Sequence, residues 1–128
     1  MSPQTAATLG GMLREVVTSG TGNSAAIPGY LIAGKTGTSQ IPTPGQASYV
    51  DGAYNATFVG FAPADHPVLS AIVVLQRPVG NYFGGQVAAP VFGKIMSYAL
   101  HRYGIPTSPG GSGAQTTSAK ANFVQEST

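Results

Sequence analysis

Tyr30-Leu31-Ile32-Ala33-Gly34-Lys35-Thr36-Gly37-Thr38-Ser39-Gln40 is the stretch around which the rest of the chain is read. The apolar run Tyr30 to Ala33 predicts a short buried strand. It leads into Gly34-Lys35-Thr36-Gly37-Thr38, which sets one cation, two hydroxyls and two glycines at the end of that strand. A glycine lets a ligand approach the backbone because no Cβ stands in the way. Lys35 offers charge, and Thr36 and Thr38 offer hydrogen bonds, a set suited to an anionic group such as a carboxylate.

On the N-terminal side, Ser2-Pro3 predicts a helix start, with serine as cap and proline in the first helical position. Leu9, Met12, Leu13, Val16 and Val17 then recur at helical spacing as one apolar stripe. The helix should end near Ser19-Gly20, and a glycine-rich turn from Gly20 to Gly29 leads to the central strand.

On the C-terminal side, Ser39 to Gly52 holds Pro42, Pro44 and Gly45 and reads as a loop. Tyr54 to Ala62, rich in aromatic and β-branched residues, predicts a second strand. A turn at Pro63-Ala64-Asp65-His66-Pro67 leads to a third strand, Val68 to Gln76. That third strand is apolar almost throughout, which predicts burial on both faces. Short connections favour antiparallel pairing. After a loop from Arg77 to Gly85, a helix is expected from about Val87 to Tyr103, with Pro90 in its first turn. Ala88, Phe92, Ile95, Ala99 and Tyr103 would form its apolar face, and Gly104 and Pro106 would stop it. Residues 107–128 are Ser-, Thr-, Gly- and Gln-rich and read as a disordered tail after one domain of residues 1–106. The expected fold class is α+β: three antiparallel strands with an N-terminal and a C-terminal helix.

Length and composition bound the function. A chain of 128 residues suits one small domain. It is 42% hydrophobic, only 8% charged, and has a net charge of +2. No basic run exists, so nucleic acid is not an expected partner. The absence of cysteine excludes disulfides and thiol chemistry. His66 reads as a solvated turn residue and His101 as a cation near a helix C-terminus. Neither has metal-ligand spacing to a partner, and neither a metal nor a cofactor is expected. Arg77 reads as a strand-end residue. Tyr82 and Phe83 could edge a cleft, but are read as loop anchors.

Two motifs share Lys35. Gly29 to Thr36 matches the nucleotide-binding P-loop pattern letter for letter. That pattern needs a strand before its first glycine and a helix after its threonine, and the flanking residues predict neither. The other motif is Lys35-Thr36-Gly37-Thr38. With its flanks the chain resembles the C-terminal part of the transpeptidase domain of class B penicillin-binding proteins. The resemblance rests on Ser2-Pro3-Gln4-Thr5-Ala6, Ile27-Pro28-Gly29-Tyr30, Ala33 to Thr38, Phe58-Val59-Gly60-Phe61-Ala62-Pro63, Gly84 to Phe92 and Gly104-Ile105-Pro106, all in family order.

The resemblance implies a serine acyl-transfer enzyme. A serine in S-x-x-K attacks the D-Ala-D-Ala end of a peptidoglycan stem peptide, and β-lactams trap the same serine. Lys35 would supply positive potential beside the nucleophile and the substrate carboxylate. Thr36 and Thr38 would hydrogen-bond that carboxylate, and Gly37 would keep the strand face open. The Thr38 backbone N–H would be one oxyanion-hole donor, worth about 3 kcal/mol in acyl transfer. By the same resemblance the site lies on the extracytoplasmic face of the cell membrane, in septal or elongation wall synthesis.

The sequence departs from the family at the nucleophile. No serine has a lysine three residues later; the nearest match is Thr117-Ser118-Ala119-Lys120. No S-x-N triplet occurs, and Thr21-Gly22-Asn23 comes nearest. The nucleophile, the second motif and two strands of the family's five-stranded sheet are therefore expected upstream of Met1, in a missing N-terminal part of the domain. Alone, the chain is expected not to acylate, and to be marginal or aggregation-prone because a sheet edge lacks its partner. Two other readings stand beside this one: a non-catalytic module that binds a peptide or partner, and a nucleotide binder through Gly29 to Thr36.

Overall fold

A computed structural model describes residues 1–111. The expected tail from Ser112 onward lies outside the described residues. Helix α1 spans Pro3–Thr18, β1 Ala33–Pro42, β2 Tyr49–Ala62, β3 Leu69–Gln76 and α2 Gly84–Arg102, with a 3₁₀ turn at Asn23–Ala25. The strands form one antiparallel sheet in the order β1-β2-β3. Two helices on a three-stranded antiparallel sheet is the α+β arrangement expected.

Helix α1 starts as its residues dictate. Ser2 caps it by accepting the Thr5 N–H at 3.1 Å, and Pro3 holds the first turn. Its apolar stripe is only partly used. Val17 is buried, whereas Leu9 and Met12 are exposed.

The glycine-lysine-threonine pentad lies inside a strand, not beyond one. Tyr30 to Ile32 were expected as strand, but their backbone groups are engaged elsewhere. Tyr30 N–H is donated to Ile27 O at 3.1 Å, Leu31 N–H to the Ser108 hydroxyl at 3.1 Å, and Leu31 O accepts from Ala64 N–H at 2.7 Å. The sheet ladder therefore starts at Ala33, opposite Phe61. The loop expected over Ser39 to Gly52 is mostly strand as well. Pairing runs from Ser39↔Asn55 to Pro42↔Tyr49, with a register irregularity between Gln40 and Pro42, so residues 43–48 alone make the turn.

In antiparallel pairing, residues directly opposite share a face. Thr36, Phe58 and Val73 align on one face, and Lys35, Val59 and Ile72 on the other. The first face meets α2. Phe58 and Phe92 touch with ring centroids 4.7 Å apart, and Met96 and Leu100 complete a fully buried cluster. Burying such a side chain is worth about 1.5–3 kcal/mol. Strand β3 was expected to be buried on both faces, but it is an edge strand and alternates. Val73 is buried, while Ile72 is 65% and Val74 49% exposed. Among the described residues nothing covers that second face.

Helix α2 begins at Gly84, three residues before its expected start. Pro90 therefore sits in the second turn, not the first, and leaves the Gln86 carbonyl without its i+4 donor. The buried face also differs from the expected one. Ala88 and Phe92 are buried as expected, but Ile95 and Tyr103 are exposed, and Ala89, Gly93, Met96 and Leu100 are buried instead. The helix packs on both the sheet and the 3₁₀ turn, so its contact face is wider than a single stripe. His101 stands in the last turn, with Nδ1–H donated to Ser97 O at 2.7 Å.

Residues 107–111, expected to open the tail, belong to the folded body. Ser108 is 3% exposed and its N–H bonds Gly29 O at 2.9 Å. Among the described residues no helix is long and apolar enough to cross a membrane.

Candidate functional site: the Lys35–Thr38 strand

Strand β1 is the outer strand on its side of the sheet. Alternation places Thr36 and Thr38 on the face toward α2, and Lys35 and Gly37 on the opposite face. Lys35 nevertheless reaches its neighbour. Its exposed side chain curls so that Nζ donates to Thr36 O at 2.8 Å and to Thr36 Oγ1 at 3.2 Å. Thr36 Oγ1 also lies 3.0 Å from Thr21 Oγ1. One cation and two hydroxyls are thus joined in a row. Thr38 Oγ1 accepts the Gly84 N–H at 3.1 Å, which brings the positive N-terminal end of α2 against the same strand.

A cavity of about 490 Å³ opens here, lined by Thr21, Asn23, Thr36, Thr38, Phe83 and Gln86 among others. Its lining offers hydroxyl and amide hydrogen bonds, with the Lys35 ammonium beside it, and contains no carboxylate, histidine or cysteine. Such a set has the chemistry to hydrogen-bond an anion and contains no carboxylate or imidazole base and no thiol nucleophile. Among the described residues no group of three or more His, Cys, Asp or Glu could hold a metal ion.

Gly37 was expected to keep the strand face open. It is half-buried, with the Thr57 side chain on one side of it. A Cβ on Gly37 would fall on the Thr57 hydroxyl, and a Cβ on Gly84 would fall on the carbonyls of Gly37 and Thr57. Glycine at 84 lets the α2 N-terminus rest directly on strand backbone, and glycine at 37 leaves room for the Thr57 hydroxyl on the opposite face.

The four residues of the motif are brought together, and three more join them. Thr21 and Asn23 attracted notice only as a poor S-x-N match, yet both line the cavity. Their signal was the pair of glycines, Gly20 and Gly22, where a Cβ would fall on Val16 and on the Phe58 ring, so that glycine lets the turn fold back against α1 and the core. Tyr82 behaves as the anchor expected, stacked on Tyr54 at 4.1 Å. Phe83 does not, because it is exposed and lines the cavity. The P-loop reading of Gly29 to Thr36 fails on geometry. Residues 33–42 are strand, so no helix follows the threonine to receive a phosphate.

The family model described as the penicillin binding protein transpeptidase domain matches residues 1–97. Penicillin-binding protein PbpB of Mycolicibacterium smegmatis is 43% identical over 118 residues, 85% of this chain and 18% of that protein. A probable peptidoglycan D,D-transpeptidase, PenA of Neisseria flavescens, is 42% identical over 92 residues, 70% of this chain and 22% of that protein. The crystal structure of penicillin binding protein 3 from Mycobacterium tuberculosis, complexed with ampicillin, superposes with a TM-score of 0.74 at 42% identity, over 85% of this chain and 26% of that one. This chain thus spans about a fifth of the length of these curated relatives. With the family model covering three quarters of its length and relatives above 40% identity, the chain belongs to the penicillin-binding protein transpeptidase domain family.

Proposed function

We propose that this chain is the C-terminal part of a class B peptidoglycan D,D-transpeptidase and supplies the substrate-binding wall of its active site. The observation that carries the reading is the outer strand itself. Thr36 and Thr38 open onto one cavity, and Lys35 Nζ is turned to the Thr36 hydroxyl. The carboxylate of a D-Ala-D-Ala stem peptide, or of a β-lactam, would take its hydrogen bonds from the two threonines and its counter-charge from Lys35. The Thr38 backbone N–H would face the oxyanion. The serine of S-x-x-K, its lysine and the S-x-N triplet would come from polypeptide this sequence does not contain, and the chain by itself would not acylate. No cofactor takes part. The complete enzyme would work at the outer face of the cell membrane, in septal or side-wall synthesis.

The chemistry divides the roles. The serine oxygen attacks the penultimate D-Ala carbonyl, the bond to the last D-Ala breaks, and an acyl ester forms. An amine from a second strand then displaces the serine. This chain binds and orients in both steps and stabilises negative charge.

Intact mass after incubation with a penicillin tests the reading. The purified chain alone should gain no drug mass. Co-expressed with the S-x-x-K portion of a homologous transpeptidase domain, it should allow that partner to be acylated, and Lys35→Ala should suppress the adduct. An adduct on this chain alone would overturn the proposal. Binding of an N-acyl D-Ala-D-Ala peptide without the partner would favour a non-catalytic binding module.

A further inference from the structure

The turn that feeds β1 is tied down from the far end of the chain. Ile105 O accepts the Tyr30 hydroxyl at 2.7 Å, and Ser108 N–H is donated to Gly29 O at 2.9 Å. Ser108 Oγ makes two bonds, accepting Leu31 N–H at 3.1 Å and donating to Asp65 Oδ1 at 2.9 Å. Ser108 is the one polar side chain buried among the described residues. Asp65 sits in the turn after β2, where Ala64 N–H also reaches Leu31 O at 2.7 Å. Gly111 closes the arrangement. A Cβ there would stand 2.6 Å from Gly29 O, so the segment lies directly on the turn's backbone.

We propose that Ile105 to Gly111 form a strap that fixes the turn at Gly29 to Leu31, and with it the start of the Lys35–Thr38 strand, through the Asp65–Ser108–Leu31 hydrogen-bond chain. Asp65 and Ser108 are thus positioning residues about four residues of strand away from Lys35. The point of leverage is Leu31. Its N–H is in strand-like sequence but has no strand partner, and Ser108 takes that place. If Ser108 loses Asp65, its hydroxyl hydrogen is left without an acceptor in a buried site, which is costly.

The arrangement responds to pH through Asp65. Partial burial pushes its carboxyl up, but the Ser108 hydroxyl, its own backbone N–H and His66 outweigh that and hold it below the usual carboxylate range. The titratable groups around it are His66 of its own turn, 3.5 Å away and 90% exposed, Tyr30 of the strapped turn, and His101 of α2, packed edge-on to Tyr30. Ile105 to Gly111 contribute none. A carboxyl depressed on folding stabilises above its unfolded value and loses that contribution as pH falls through its folded value.

Hydrogen–deuterium exchange of the full chain, read as protection factors over residues 27–33, tests the strap without relying on any enzymatic reading. Ser108→Ala and Asp65→Ala should each lower protection there about tenfold, the worth of one net hydrogen bond, while α2 stays protected. Asp65→Asn, which keeps an acceptor for the Ser108 hydroxyl, should restore most of it. Wild-type protection should hold from neutral pH to about 5 and fall only below about 4, and Asp65→Asn should remove that fall. Residues 27–33 that exchange in the wild type as fast as the 43–48 turn would overturn the proposal. So would protection that does not change in Ser108→Ala.

Discussion

Gly84 donates its backbone N–H to the Thr38 hydroxyl across 3.1 Å, so the first residue of α2 is bonded to the last residue of the Lys-Thr-Gly-Thr motif. A helix that buries Phe92, Met96 and Leu100 in the core is thereby pinned to the strand edge that faces the cavity. The motif is thereby tied to core packing at this junction as well as through its ladder with β2.

Gly84→Ala should expose that dependence. The added methyl would fall on the carbonyls of Gly37 and Thr57, both backbone atoms that cannot swing aside. Overpacking of this kind costs about 1–3 kcal/mol. A urea midpoint lowered by that amount is expected. Thr38→Val, which removes only the acceptor, should cost about 1 kcal/mol. Equal losses in the two variants would mean that the hydrogen bond, not the close approach, holds the junction.

Lys35→Ala should separate folding from function. The ammonium is exposed, and its partners Thr36 O and Oγ1 remain accessible to water once it is gone. Stability should change by no more than about 0.5 kcal/mol. If the strand is the substrate wall, acylation of a reconstituted domain should fall about 100-fold, the scale of removing one electrostatic donor from an acyl-transfer site. A large loss of stability with acylation untouched would make Lys35 a structural residue.

The core junction between Phe58 and Phe92 sets how much destabilisation the chain tolerates. Each ring is fully buried and the pair meets at 4.7 Å. Phe92→Ala should cost about 3–5 kcal/mol, and Phe92→Leu markedly less, because Leu refills part of the cavity. Far-ultraviolet circular dichroism through a urea titration reads both. An Ala variant within about 1 kcal/mol of wild type would show that α2 contributes little to holding the sheet.

What was legible in the sequence follows from which signals are local. The Ser2 cap, the antiparallel order of three strands and the lysine-threonine motif all rest on neighbouring residues, and the structure contains each. Signals that needed distant partners were misread. Tyr30 to Ile32 look like strand, but Ser108 and Ala64 take their hydrogen bonds from outside the sheet. Pro42 looks like loop, yet a proline at a strand end beside a register irregularity is tolerated. Ile72 and Val74 look like core residues, but composition cannot say which neighbours are at hand. Thr21 was legible only as a failed motif, because its role comes from a contact fifteen residues away.

The exposed face of β3 leads to the last expectation. Val59 at 49%, Ile72 at 65% and Val74 at 49% exposure share one face of the sheet, and β3 offers its outer edge without a strand partner among the described residues. An apolar, unpaired edge is a template for association. The chain alone should therefore self-associate at tens of micromolar, with light scattering coupled to size exclusion as the measure. Ile72→Lys places a charge at the centre of the patch on the solvent side and should shift the chain toward monomer with little loss of stability. If the S-x-x-K polypeptide of the proposed function covers this patch, the same variant should also impair recovery of acylation on co-expression. A wild-type chain that runs as a monomer with a sharp, reversible thermal transition would remove the ground for both expectations.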